Sequence, residues 1–287
     1  MALSYSQLRR YRTCPRQYEF SNVKKIPWGI SEGESFGASV HVALKKWGEE
    51  EMKALGVLGR TSDSGLRTEG RKKKSDVRAD QIPLFTEGEA HAPAQLTEER
   101  LLEIWHRCFV FDTFPTRLEA DFARQRGDAV LRQFYAWWSL SPRSVLAVEK
   151  SFSLEIDSLV VAGRLDRVEK VDGGVHILDF KTGQPCSQQE ADADLQLSLY
   201  ALAAEQLFEK PFDSAQGKPC TALTLLFLSE EGVIERSTQR SASQLKDART
   251  QIKLIRERMD AKDFRPTPSV AACKRCPYRG VCDVSAV

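Results

Sequence analysis

LVVAGRLDRVEKV (159–171), a short break, then GVHILDFKTG (174–183): this stretch decides the fold. Both halves run apolar or alternate apolar with polar, as strands do, and Asp172-Gly173-Gly174 between them is a hairpin-type turn. VLAVEKSFSLEI (145–156) has the same character, so the region predicts a meander of three strands. Two carboxylates interrupt its apolar run. Asp166 has Leu165 and Val168 as neighbours, and Asp179 sits near the end of its strand with Lys181 two residues on. Period-two alternation puts Asp179 and Lys181 on one face. A carboxylate is costly to bury unless it is paired or binds a cation. Two Asp residues on adjacent strands therefore suit Mg²⁺ or Mn²⁺, which prefer oxygen ligands, and a lysine beside them can hold a water or a phosphate oxygen. A D-x-K alone is short, and an exposed strand-end ion pair explains it as well.

Outward from the meander, EADADLQLSLYALAAEQLF (190–208) reads as a helix with Gln196 and Tyr200 four apart on one face, both able to donate to phosphate or to a carboxylate. A buried strand follows at 221–228, another at 233–237, and an amphipathic helix at 241–261. On the N-terminal side, residues 3–20 read as a helix started by a Ser4–Gln7 capping box, with Leu8 and Tyr11 on one face. Residues 34–54 form a stronger helical pattern, with Phe36, Val40, Leu44 and Trp47 on one stripe. His41 lies in that helix. Alone it is a packing residue; brought to the two Asp residues it becomes a nitrogen ligand and shifts preference toward Mn²⁺. Helical periodicity also covers 97–111 and 116–140. Residues 56–97 have no period and read as a mobile loop or insertion, with a basic cluster at Arg71, Lys72, Lys73 and Lys74. This order predicts an α/β fold with a small mixed sheet flanked by helices.

The chain has 287 residues, 41% apolar and 29% charged, which suits a packed core and argues against full disorder and a membrane protein. No apolar run approaches the roughly 18–20 residues of a membrane span, and the first residues lack a signal h-region, so a cytoplasmic protein with no membrane partner is expected. Lys and Arg number 42 against 40 Asp and Glu, so a nucleic-acid partner must be argued from local patches. Seven cysteines in such a chain point to metal. Cys273, Cys276 and Cys282 make C-x₂-C-x₅-C, and Cys14 lies in an early T-C-P segment. Four thiolates suit zinc or an iron–sulfur cluster and would tie the 262–287 tail to the 1–20 helix. Arg9, Arg10, Arg12, Arg16, Lys274, Arg275 and Arg279, interleaved with Tyr11, Tyr18 and Tyr278, suit a single-stranded nucleic acid.

Taken in order, His41, Asp166 in GRLD, Asp179 and Lys181 in LDFKT, and Gln196 and Tyr200 in QLSLY resemble the RecB-type PD-(D/E)XK nucleases. Cys14 in YRTCPRQYEF with the C-terminal cysteines resembles their iron–sulfur branch, which includes the AddB nuclease domain and the CRISPR adaptation nucleases. The resemblance touches both ends and the middle of the chain. It implies a restriction-endonuclease-like fold, a single nuclease domain over 1–287 with a helical insertion at 97–140, and a tail stapled by a 4Fe-4S cluster on Cys14, Cys273, Cys276 and Cys282. It implies that His41, Asp166, Asp179 and the backbone carbonyl of Phe180 hold Mg²⁺ or Mn²⁺, and that Lys181 positions or activates the attacking water. Gln196 and Tyr200 would orient Lys181 and the DNA backbone, with Glu149 as a supporting group. Leu165 precedes Asp166 where the family name has proline. The implied activity is a metal-dependent deoxyribonuclease, an exonuclease preferring single strands, in DNA repair, recombination, CRISPR or phage defence, with a helicase or CRISPR adaptation chain as partner. The alternative is a non-catalytic iron–sulfur module that binds DNA or assembles a helicase–nuclease complex. That role does not require Asp166, Asp179 and Lys181, and all three are present. There is no G-x-x-x-x-G-K-[ST], so a helicase motor would be a separate chain.

Overall fold

Ser4 accepts the Gln7 N–H while the Gln7 side chain takes the Ser4 N–H, and this reciprocal cap starts α1 (Tyr5–Thr13) directly after a two-residue strand, β1 (Leu3–Ser4). The computed structural model describes residues 2–56, 96–141, 143–208 and 220–287. Cys14 leaves the helical backbone, and Pro15, suited to a first helical turn, opens α2 (Pro15–Tyr18), which runs into a π-helical turn at Glu19–Val23. A second reciprocal cap, Ser31 with Glu34, opens α3 (Glu32–Ala54). Thr97 and Thr116 cap α4 (Glu98–Cys108) and α5 (Arg117–Ser139). The meander follows as β2 (Val145–Ile156), β3 (Leu159–Val171) and β4 (Gly174–Lys181), with Gly173 at φ +79 in the hairpin turn, a backbone that favours glycine. The segment predicted as one helix at 190–208 is two, α6 (Gln188–Asp192) and α7 (Leu195–Leu207), because Asp194 leaves the helix and caps α7 through the Leu197 N–H. Then come β5 (Cys220–Leu228), β6 (Val233–Thr238), α8 (Ala242–Asp260) and α9 (Val270–Lys274). Arg71, Lys72, Lys73 and Lys74 lie outside the described residues, as does the rest of 57–95. None of the described helices is long and apolar enough to cross a membrane.

Among the described residues the strands form one mixed sheet. β2 lies antiparallel along β3 over most of its length. On the other edge of β3, β1 pairs in parallel at Val161 and Ala162, and β4 pairs antiparallel from Arg167 to Val171. β5 joins β4 in parallel after the crossover through α6 and α7, and β6 closes the far side antiparallel to β5. The parallel pairing with β1 was not legible in the sequence, since two residues carry no period.

Alternation along β4 divides the interior. Val175 and Ile177 face the core built with α1, α7 and α8, while Leu178 and Phe180 face the core built with α3, α4 and α5. α7 is apolar nearly all round, as a helix packed between other elements must be. This is a mixed α/β architecture with helices on both faces of a central sheet, as expected of a restriction-endonuclease-like fold. α3 approaches the sheet closely through two glycines. A Cβ on Gly37 would meet Thr182 Oγ1 at 2.9 Å, and one on Gly48 would meet Val148 Cγ1 at 2.4 Å. Between these contacts, one turn beyond Gly37, α3 carries His41.

Candidate active site

The site lies where β3 and β4 part. Their ladder ends at the pair Arg167 and Leu178. Farther along, the Phe180 N–H donates instead to Asp166 Oδ2 at 2.9 Å, so a side chain satisfies an amide that the ladder leaves open. The same Asp166 oxygen lies 3.4 Å from His41 Nδ1. Burial holds the His41 pKa below its ordinary value, against the upward pull of Asp179, Glu149 and the Phe180 backbone. The ring is therefore neutral near pH 7 and offers a ligand nitrogen. Asp166 shifts the other way. Burial, and then the neighbouring Asp179 carboxylate, push its pKa well above the usual carboxylate range.

Asp179 is 1% exposed, and α7 meets it from above. Tyr200 Oη donates to Asp179 Oδ1 at 2.9 Å. Gln196 Nε2 donates to the same oxygen at 2.8 Å and to Tyr200 Oη at 2.6 Å. Gln196 Oε1 accepts from Lys181 Nζ at 2.9 Å, and Lys181 also pairs with Asp179 Oδ2. The i, i+4 spacing on α7 and the i, i+2 spacing on β4 thus close into one hydrogen-bonded set. Burial and the Asp179 and Asp166 charges push the Tyr200 pKa up, which keeps the phenol protonated and donating. The structure brings together His41, Asp166, Asp179, Phe180, Lys181, Gln196 and Tyr200; Phe180 contributes backbone, its ring being packed in the α3 core.

Sequence reasoning placed Glu149 only as a supporting group. In the structure, His41, Glu149 and Asp166 each offer a ligand atom within 4.8 Å of the others. The β2–β3 register sets Glu149 opposite Asp166, between the pairs Val148–Arg167 and Lys150–Leu165. Two carboxylates opposed across strands are unfavourable without a cation, and that clash was the available signal. Glu149 also has φ +49, a left-handed backbone that a glutamate seldom adopts. Asp179 Oδ2 is buried and faces the Lys181 ammonium. Three carboxylates and a neutral imidazole fit a divalent cation with oxygen preference.

A second cluster lies at the far end of α1. Cys14, Cys273, Cys276 and Cys282 line one pocket with Phe20, Pro266 and Pro268, and all four are free thiols. Burial, then the charges of Cys14, Cys282 and Cys273, raise the Cys276 pKa. The tail reaches this corner through Tyr11 Oη to the Asp263 carbonyl at 2.5 Å and Thr267 Oγ1 to the Thr13 carbonyl at 3.2 Å. Tyr278 packs edge-on against Phe20 and Trp28 and donates to the Ile26 carbonyl at 3.1 Å. These contacts correct one expectation. Tyr11 and Tyr278 are buried, and Tyr18 packs between Tyr11 and Phe264, so these rings are anchors rather than free platforms for bases. Arg10 and Arg16 are likewise engaged, with Asn22 and Trp28 and with Glu19 and Phe20. Arg9, Arg12, Lys274, Arg275 and Arg279 stay exposed.

Two phage proteins are similar to this chain over nearly their whole length. The Gene 69 protein of Mycobacterium phage L5 is 24% identical over 320 residues, and that of Mycobacterium phage D29 is 25% identical over 310. Each alignment covers 98% of this chain and 96% of the relative. A solved structure, that of SSO0001, is 14% identical over 66% of this chain and 79% of its own, with a TM-score of 0.34, too slight a likeness to bear on the fold. The PD-(D/E)XK nuclease superfamily matches residues 2–283. With its match spanning the sheet, α3 and α7, the chain belongs to the PD-(D/E)XK nuclease superfamily, a family of metal-dependent nucleases.

Proposed function

We propose that this chain is a Mg²⁺- or Mn²⁺-dependent deoxyribonuclease that digests single strands from an end. The observation that carries the reading is the closed set of Lys181, Gln196, Asp179 and Tyr200 beside the His41, Glu149 and Asp166 donors. A divalent cation held by His41, Asp166, Asp179, Glu149 and the Phe180 backbone carbonyl would supply a Lewis acid for the phosphate oxygens and the attacking water. Lys181 adds a fixed positive charge where negative charge grows on the phosphate. Gln196 fixes the ammonium, and Tyr200 fixes Asp179, so neither group needs to reorganise as charge develops. The buried position of Asp179 suits a flexible strand entered by its end over a stiff duplex. Exposed Arg9, Arg12, Lys274, Arg275 and Arg279 offer phosphate contacts on the way.

The same reading assigns a structural 4Fe-4S cluster to Cys14, Cys273, Cys276 and Cys282, and with it the iron–sulfur branch of the family. One nuclease domain then spans 1–287, with 97–140 inserted and 262–287 as the stapled tail. A helicase or CRISPR adaptation chain is the expected partner, in repair, recombination or defence.

The test is cleavage of end-labelled single-stranded and duplex DNA by anaerobically purified protein with Mn²⁺ or Mg²⁺, beside Lys181→Ala and Asp179→Asn. Wild type should shorten single strands from one end, EDTA should stop it, and Lys181→Ala should lose about 10²–10³-fold. A folded, iron-loaded wild type that cuts nothing would shift the reading to the non-catalytic assembly module. Iron and sulfide analysis of wild type beside Cys276→Ser tests the cluster; stoichiometric zinc in their place would overturn it.

A further inference from the structure

Glu149 has a partner outside the donor set. Arg164 Nη1 donates to Glu149 Oε2 at 2.7 Å, with the Arg164 side chain 60% exposed and that of Glu149 14%. Resting on the metal-dependent reading above, we propose that Arg164 holds Glu149 in place of a divalent cation, and that cation binding releases Arg164 to take a backbone phosphate of the substrate.

Charge balance supports the exchange. Glu149, Asp166 and Asp179 face the positive charges of Lys181 and Arg164. Adding a divalent cation at His41, Glu149 and Asp166 makes one arginine charge surplus. An ion pair with a mostly exposed guanidinium is weak, so a chelated divalent ion displaces it readily. The freed guanidinium stands two residues from Asp166 at the rim of a site whose substrate is a phosphodiester, and its planar fork suits phosphate oxygens. The left-handed backbone of Glu149 is a strained conformation kept at the point where the carboxylate must reach both partners.

The experiment is a calorimetric Mn²⁺ titration of the full chain without DNA, followed by binding of a single-stranded oligonucleotide in Mn²⁺ and in EDTA. Lys181→Ala serves as the background for the second part, so that the strand stays intact. Glu149→Gln should weaken Mn²⁺ about 10–100-fold. Arg164→Gln should tighten Mn²⁺ several-fold, because the competitor is gone, and should weaken oligonucleotide binding in Mn²⁺ but not in EDTA. Glu149→Gly, which accepts the left-handed backbone without strain, should raise the Tm in EDTA while losing Mn²⁺ affinity as Glu149→Gln does. If Arg164→Gln weakens Mn²⁺ or leaves it unchanged, Arg164 orients Glu149 instead of competing for it, and the proposal fails. Unchanged Mn²⁺ affinity in Glu149→Gln overturns it too. In either case a loss of affinity in Asp166→Asn leaves the metal-dependent reading standing. Absence of Mn²⁺ binding by wild type would remove both.

Discussion

Asp166 and Arg167 are neighbours on β3, both reached by side chains of α3 and both largely withdrawn from water, yet their surroundings differ in kind. Arg167 donates to both Glu51 oxygens at 2.7 and 2.9 Å and to Glu169 at 2.7 Å. Trp138 adds a bond to Glu51 at 3.2 Å, and Arg143, stacked 3.7 Å over Trp137, adds one to Glu169 at 3.4 Å. Two carboxylates meet two guanidiniums, and the charges of the cluster close on themselves. Asp166 instead has Glu149 and Asp179 beside it, where three carboxylates meet the charges of Lys181 and Arg164. Buried charge by itself therefore does not mark a functional site. A closed set clamps α3 to β3, whereas an unbalanced one waits for a cation.

The largest effect expected on either side comes from opening the closed cluster. Glu51→Ala leaves Arg167 buried without its bidentate partner and should cost about 3–5 kcal/mol in urea unfolding, equally in Mn²⁺ and in EDTA. A loss under about 1 kcal/mol would deny that this cluster holds the helix to the sheet. Asp166→Asn should do the reverse. Its amide oxygen still accepts the Phe180 N–H, so the metal-free fold keeps its stability, while Mn²⁺ affinity falls by about 100-fold or more, about 2.7 kcal/mol. Equal destabilisation in EDTA would make Asp166 a structural residue like Arg167.

Gly48→Ala joins the two sides, because α3 carries both Glu51 and His41. The added Cβ meets Val148 Cγ1 at 2.4 Å, and the variant should lose about 1–3 kcal/mol together with Mn²⁺ affinity as His41 moves from Asp166. Gly127→Ala is the matched control. Its Cβ meets Trp105 at 1.9 Å between α4 and α5, so stability should fall with metal affinity kept.

The smallest effect is in pH. The folded-state pKa of Asp166 is raised by burial and by Asp179, above an unfolded value of about 4. Its protonated form therefore stabilises the metal-free fold fully below about pH 4, and that contribution is lost as pH rises through the folded pKa. In EDTA, wild type should lose stability relative to Asp166→Asn across that window, by up to about 1.4 kcal/mol per pH unit. Parallel stability curves for the two proteins would contradict the assigned shift. Because a cation takes only the carboxylate, Mn²⁺ affinity of wild type should rise through the same window.

Much of this contrast is written locally. Period-two runs mark β2, β3 and β4, and the D-x-K spacing puts Asp179 and Lys181 on one face, where the structure finds them paired. Four-residue spacing aligns Gln196 with Tyr200, and the apolar stripe of α3 is buried as its period requires. The closed cluster was missed because Glu51 and Arg167 are 116 residues apart, and nothing local announces a bidentate pair across that distance. Tyr11 and Tyr278 were misread for a related reason: a tyrosine between arginines looks the same whether its ring stacks on a base or packs under a tail.

Repeats of two and of 3.6 residues, capping side chains and cysteine spacing are local properties, and the sequence by itself determined the longer elements, the faces they present and the chemical types on each face. Only the tertiary structure decided which faces meet. The β2–β3 register carried Glu149 opposite Asp166, and the close approach of α3 through Gly37 and Gly48 carried His41 to the same point. A register slip of one residue, or one extra methyl group under that helix, would leave every local pattern intact and pull the donors apart, because side-chain direction follows from the period while distance follows from packing.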